Sequence, residues 1–120
     1  MKVVDPGHYY TVRNFDSKCK EEQVILFVKR MGSKYPGNNS AYSGTITQEL
    51  LRVILNRLYY VNNQIWSPFT FCCIQLIKIS IWLLECRAAL KKGLFIPSIK
   101  ESIYGIICYK CGHVKCRHNG

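Results

Sequence analysis

At 120 residues the chain is expected to be one domain spanning 1–120, burying about two thirds of its unfolded surface. Seventeen Lys and Arg against seven Asp and Glu leave a formal charge of +10, which points to acidic partners: nucleic acid, anionic lipid or a small phosphate ligand. The basic residues never form a run of five, which argues against a disordered nucleic-acid-binding arm.

MKVVDPGHYY lacks the apolar stretch and small-residue cleavage site of a signal peptide, and Asp5-Pro6-Gly7 reads as a turn. His8–Arg13 is aromatic and β-branched, a strand. Asp16-Ser17-Lys18 suggests a second turn. Gln23–Arg30, with the apolar run Val24–Val28, reads as a strand buried on both faces and paired antiparallel with the first. Met31–Gly44, rich in Gly, Asn and Ser, is a loop long enough to be functional.

Thr45 with Gln48 has the spacing of a capping box opening a helix over Thr45–Trp66. Leu50, Ile54, Leu58, Val61 and Ile65, joined by Leu51 and Leu55, form its apolar face, and Glu49, Arg52, Asn56 and Asn63 a polar stripe with Arg57 at its edge. Ser67-Pro68 starts a second helix that runs to about Lys92 and closes at Gly93. From Phe69 to Leu84 it is apolar nearly all round, broken only by Gln75, Lys78 and Ser80. A span of bilayer needs roughly 20 apolar residues, and Lys78 in the middle disfavours insertion by about 2.5–3.5 kcal/mol. Packing against another copy in an obligate homo-oligomer is the expectation. Glu85 and Arg87 are expected to pair or to lie at that interface. Ser102–Tyr109 and Val114–His118 read as a C-terminal hairpin turning at Cys111-Gly112-His113. There is no internal repeat.

The fold expected is therefore α+β: a small antiparallel β-hairpin or sheet, two long antiparallel helices and a C-terminal β-hairpin, in an oligomer.

Seven cysteines do not alternate like a disulfide framework. Cys72, Cys73 and Cys86 on the second helix suggest small buried groups in a reducing compartment, the cytoplasm. Cys108-x2-Cys111-x4-Cys116-x-His118 has one pair at zinc-site spacing, but the second pair is too close for an ordinary structural zinc site. Cysteines packed as small apolar groups, with no metal and no cofactor, are expected there. No Ser or Cys has a base beside it, and no catalytic set emerges.

The strongest functional signal is the loop. Glycines followed by a helix start expose backbone N–H groups to an anion, and Lys29, Arg30 and Lys34 would add full charge. It is neither a P-loop nor a GxGxxG turn. A plain connector, with Arg13, Lys29, Arg30, Arg52 and Arg57 as a solvated basic face, is the bland alternative.

The order PGHYY, FVKR, KYPGN, TITQELLR followed by an Arg/Tyr/Gln-bearing helix, then LLECRAALKKG, resembles the first-described type of phage Thoeris anti-defence protein over Pro6–Gly93. The resemblance implies a non-enzymatic sponge. It would bind the glycocyclic isomer of cyclic ADP-ribose made by the Thoeris system, some members also binding cyclic oligonucleotides, and would act as a dimer or larger assembly in the host cell cytoplasm. The motif positions carried over as ligand-binding are Lys29, Arg30, Tyr35, Asn38, Thr45, Gln48, Arg52 and Arg57. A pyrophosphate favours bidentate Arg and helix-start amides, and adenine a stacking surface such as Tyr35 or Phe15. Two other readings stay open: a basic nucleic-acid-binding module with a C-terminal zinc hairpin, and a membrane-associated toxin-like protein using Phe69–Leu84.

Overall fold

The computed structural model describes residues 1–16 and 21–104. Met1–Thr47 forms one compact unit and Gln48 onward another.

The first unit is a three-stranded antiparallel sheet in the order β1-β2-β3, with β1 at Lys2–Asp5, β2 at Tyr9–Arg13 and β3 at Glu22–Leu26. The expected hairpin is β2 with β3, in a register that sets Tyr9 opposite Leu26 and Arg13 opposite Glu22. β1 was not expected. KVVD is too short for a period-2 pattern, and its pairing with β2, bulged between Val3 and Asp5, is what makes it a strand. Gly7 at φ +82° supplies the turn between them. β3 is shorter than Gln23–Arg30 and is not buried on both faces, since Val24 is more than half exposed. Asp16 adopts φ +57°, whereas Ser17 and Lys18 of the expected turn lie outside the described residues.

The second unit is helical: α1 at Thr47–Gln64, α2 at Pro68–Lys91 and α3 at Ile99–Tyr104. Arg52 reaches Glu85, and Lys78 lies over the Tyr59 ring. A step of seven residues forward on α1 thus matches seven back on α2, so the two helices run antiparallel. Leu55, Ile74, Ile81 and Ile103 form the core, with Leu51, Leu58, Tyr59 and Ile77 packed around it. Burying each such aliphatic side chain contributes about 1.5–3 kcal/mol.

The ends of α2 follow the sequence, with one correction. Ser67 is the N-cap and Pro68 follows it, but the Ser67 hydroxyl makes no cap bond. Its N–H instead donates to Asn62 Oδ1 at 2.8 Å, joining the end of α1 to the start of α2. At the other end Gly93 sits at φ +68°, with Gly93 N–H on Leu90 O and Leu94 N–H on Ala89 O, a Schellman closure.

α3 overturns the first residues of the expected C-terminal strand. Ser98 caps it: the Glu101 N–H donates to Ser98 Oγ and the Ser98 N–H to Glu101 Oε2, a capping box. Trp82 Nε1–H donates to Pro97 O at 2.9 Å and holds the connection against α2. The rest of that hairpin, with Cys108, Cys111, Cys116 and His118, lies outside the described residues.

α2 is long and apolar enough to cross a membrane, and only 17% of its most apolar window is buried within the chain. Cys72 and Cys73, expected inside, are exposed, and Cys86 is half-buried.

Candidate functional site

The loop after β3 is folded back onto the chain that enters it. Phe27 N–H donates to His8 O, which keeps the chain beside β2 for one residue past β3. Val28 N–H then donates to Thr45 O, Thr45 N–H to Leu26 O, and Lys29 and Tyr42 exchange both backbone bonds at 3.0 and 3.1 Å. Gly44 is what lets the return strand come so near. A Cβ there would lie 2.4 Å from the Phe27 carbonyl carbon and 2.6 Å from Leu26 O and Val28 N, so only glycine fits. Thr45 therefore does not cap α1, which begins at Thr47; its backbone belongs to this bridge.

Inside the loop two turns stack. Tyr35 N–H donates to Gly32 O and Asn38 N–H to Tyr35 O, with Gly32 at φ +129° and Gly37 at φ +89°. The Asn38 side-chain amide donates to Arg30 O at 2.8 Å and ties the loop's far side to its entrance. Arg30 itself is exposed, as is Lys34, and Tyr35 is about one-third exposed at 37%.

Lys29 and Arg30 have opposite situations. Lys29 is buried, with its side chain 8% exposed, and its Nζ donates to Asp5 Oδ2 at 2.8 Å. The Tyr42 hydroxyl donates to the same carboxylate oxygen, and the Lys29 ammonium lies 5.7 Å from the Tyr42 ring centroid. His8 stands edge-on to Tyr42. Hydrogen bonds from Lys29 and Tyr42 hold the Asp5 carboxyl below its ordinary value, while burial opposes them. Burial first, and then the Asp5 carboxylate, push the Tyr42 hydroxyl up to about 12. A lysine this buried needs a paired acid, and the pairing consumes the charge that the sequence offers to a ligand.

The remaining predicted residues lie in the second unit. Gln48 is half-buried in the first turn of α1, and Arg57 is exposed. Arg52 is buried, its side chain 4% exposed. Its Nη2 donates to Glu85 Oε1 at 3.0 Å and to Ser102 O at 2.9 Å, and its Nη1 to Glu49 Oε2 at 3.4 Å. One guanidinium thus joins all three helices. Glu85, expected to pair with Arg87 or to lie at an oligomer interface, pairs with Arg52.

The structure accordingly brings Lys29, Arg30, Tyr35, Asn38 and Thr45 into one folded loop and places Gln48, Arg52 and Arg57 on a helix of the other unit. Sequence reasoning missed Asp5, His8 and Tyr42 around Lys29, and Glu85 and Ser102 around Arg52. The one available signal was scarcity: with seven acids in the chain, a buried cation had few choices of partner. Phe15 is exposed, with the Arg13 guanidinium 5.6 Å from its ring centroid. Among the described residues no cluster of His, Cys, Asp or Glu could hold a metal ion.

The arrangement offers an exposed, always-charged fork, Arg30, on a loop of fixed backbone that also carries the aromatic side chain of Tyr35. Arg is the residue suited to bidentate recognition of phosphate. No family model, curated protein or solved structure matches the chain.

Proposed function

We propose that this protein binds a phosphate-bearing cyclic nucleotide of the cyclic ADP-ribose class and sequesters it without chemical change. Such a sponge would blunt a Thoeris-type immune signal in the cytoplasm of a phage-infected cell. The observation that supports it best is the division of labour between Lys29 and Arg30. Asp5 takes the charge of Lys29 and uses it to fix the loop, while Arg30 is left at the surface of that loop with its guanidinium exposed. Sequestration asks for this combination: a fixed backbone that costs little to order on binding, and a fork for a pyrophosphate. Tyr35 supplies the aromatic surface for a base. The acid nearest the loop, Asp5, is engaged by two donors and is read here as an anchor. The motifs that resemble Thoeris anti-defence proteins run, in this chain, from the β1–β2 turn to the end of α2.

Calorimetric titration of the full chain with cyclic ADP-ribose isomers, followed by chromatography of the released ligand, tests the reading. Saturable binding with the ligand recovered intact is expected. No heat with any isomer, or a converted product, would remove it.

A further inference from the structure

We infer that the connection between α2 and α3 is a docking point for an anionic phospholipid surface. It reads Gly93-Leu94-Phe95-Ile96-Pro97, and its three large apolar side chains stand in solvent. Phe95 is 99% exposed, Leu94 61% and Ile96 54%, with Leu90 and Ile99 also exposed on the helix turns to either side. A lone surface leucine needs no explanation, whereas consecutive apolar side chains turned outward on a short connection mark an interaction site.

Slack in the chain does not account for the exposure. At the α2 end, Gly93 N–H and Leu94 N–H donate to Leu90 O and Ala89 O. At the other end, Trp82 Nε1–H donates to Pro97 O at 2.9 Å, and the Ser98–Glu101 box starts α3. Ser102 and Ile103 are then buried, and Arg52 donates to the Ser102 carbonyl. The backbone is thus tied on both sides of side chains that face water.

Charge selects the occupant. From Arg87 to Lys100 the chain carries four cations and no acid. Arg87, Lys91, Lys92 and Lys100 are all exposed, and among the described residues none is paired with a carboxylate. The nearest acids are engaged elsewhere, Glu85 on Arg52 and Glu101 on Ser98. An apolar tip flanked by basic residues matches the layering of a bilayer surface, with hydrocarbon beneath anionic headgroups. A nucleic acid would use the same charges, but it asks for aromatic rings on which bases stack. Here a single Phe stands between two aliphatic side chains. The attachment is peripheral, because three apolar residues fall far short of the roughly 20 of a membrane span.

The inference does not depend on the nucleotide reading, and its test uses the full chain without nucleotide. Sucrose-loaded vesicles of phosphatidylglycerol and phosphatidylcholine should sediment the protein, and added salt should release it. Vesicles of phosphatidylcholine alone should bind roughly tenfold less or weaker still, since each basic residue at an anionic surface strengthens binding about fivefold. Phe95→Asp should weaken binding by a similar factor and leave the circular dichroism spectrum unchanged, because a side chain 99% exposed has no packing to lose. Should that variant fail to fold, the pair Lys91→Gln and Lys92→Gln decides the matter, with roughly tenfold weaker binding to the anionic vesicles expected. Equal binding to both kinds of vesicle would overturn the proposal. So would wild-type binding that Phe95→Asp or the double lysine variant retains in full, which would put the contact on another surface such as the body of α2. Absence of binding to either vesicle overturns it too, and a single-stranded oligonucleotide bound in that case would assign the basic residues to nucleic acid.

Discussion

Arg52 on α1 and Glu85 on α2, 33 positions apart in sequence, meet at 3.0 Å, and the same guanidinium nitrogen also caps the carbonyl of Ser102 on α3. Three helices are thereby fixed by one side chain. Its Nε has no hydrogen-bond partner among the described residues, so the guanidinium relies on its two terminal nitrogens. Glu85→Ala should lower the unfolding free energy by about 2–3 kcal/mol, because it strands a buried charge with fewer acceptors. Urea denaturation followed by far-ultraviolet circular dichroism checks this. A change below about 0.5 kcal/mol, the size of an ordinary surface substitution, would show that the pair is not a fixed node.

Gly44→Ala tests the folded-back loop. The added methyl group meets backbone atoms of Leu26, Phe27 and Val28, and backbone cannot swing away as a flexible side chain does. A loss of about 1–3 kcal/mol is expected, as for overpacking elsewhere. Amide exchange should report it first at Val28, Lys29 and Tyr42, whose bonds hold the return strand.

The Asp5–Lys29–Tyr42 cluster should give stability a dependence on pH at both ends. Asp5 has a folded value below its ordinary 3.8, so its contribution is present above pH 3.8 and is lost as pH falls through the lower folded value. Tyr42 is raised from 10.0 to about 12, so its contribution is complete below pH 10 and disappears between pH 10 and 12. His8, which faces Tyr42, adds a small further electrostatic stabilisation of the Asp5 carboxylate. Urea midpoints measured across pH should decline at each extreme for wild type. Tyr42→Phe should flatten the alkaline limb and Asp5→Asn the acid one; unchanged limbs in these variants would assign the titrations to other groups.

Arg30→Ala should weaken cyclic ADP-ribose binding while leaving the melting temperature nearly unchanged, since the side chain is exposed. A hydrogen bond to a charged group contributes about 1.5–3 kcal/mol, and about 1.4 kcal/mol is tenfold in affinity. A loss of roughly ten- to a hundredfold is expected by calorimetry. Arg30→Lys should restore part of it, as Lys keeps the charge without the planar fork. Lys29→Ala differs in kind: it should unsettle the loop and lower stability along with affinity, because Lys29 is buried on Asp5.

Several elements were legible in the sequence because what specifies them lies within a few residues. Ser67-Pro68 and Gly93 bound α2 through a proline compatible with a helix start and a glycine able to take φ +68°. The helical spacing of Leu50, Ile54, Leu58, Val61 and Ile65 marked α1, although its inner face lies at Leu51, Leu55 and Leu58 while Ile54 and Ile65 are exposed, and the runs at His8–Arg13 and Gln23–Arg30 marked the β2–β3 hairpin. The Ser98–Glu101 capping box was equally local, but the apolar run that follows it read as a strand. Tertiary structure decided the rest. Arg52 looked like a solvated or ligand-binding charge because its partners are 33 and 50 positions away, and no local pattern reveals a partner at that distance. Thr45 carries a cap residue's chemistry, yet a bridge to Phe27 claims its backbone. Lys29 and Arg30 are neighbours with the same charge in sequence. The alternation of an extended chain sends one side chain inward to Asp5 and leaves the other at the surface, and that difference selects Arg30 as the residue to test.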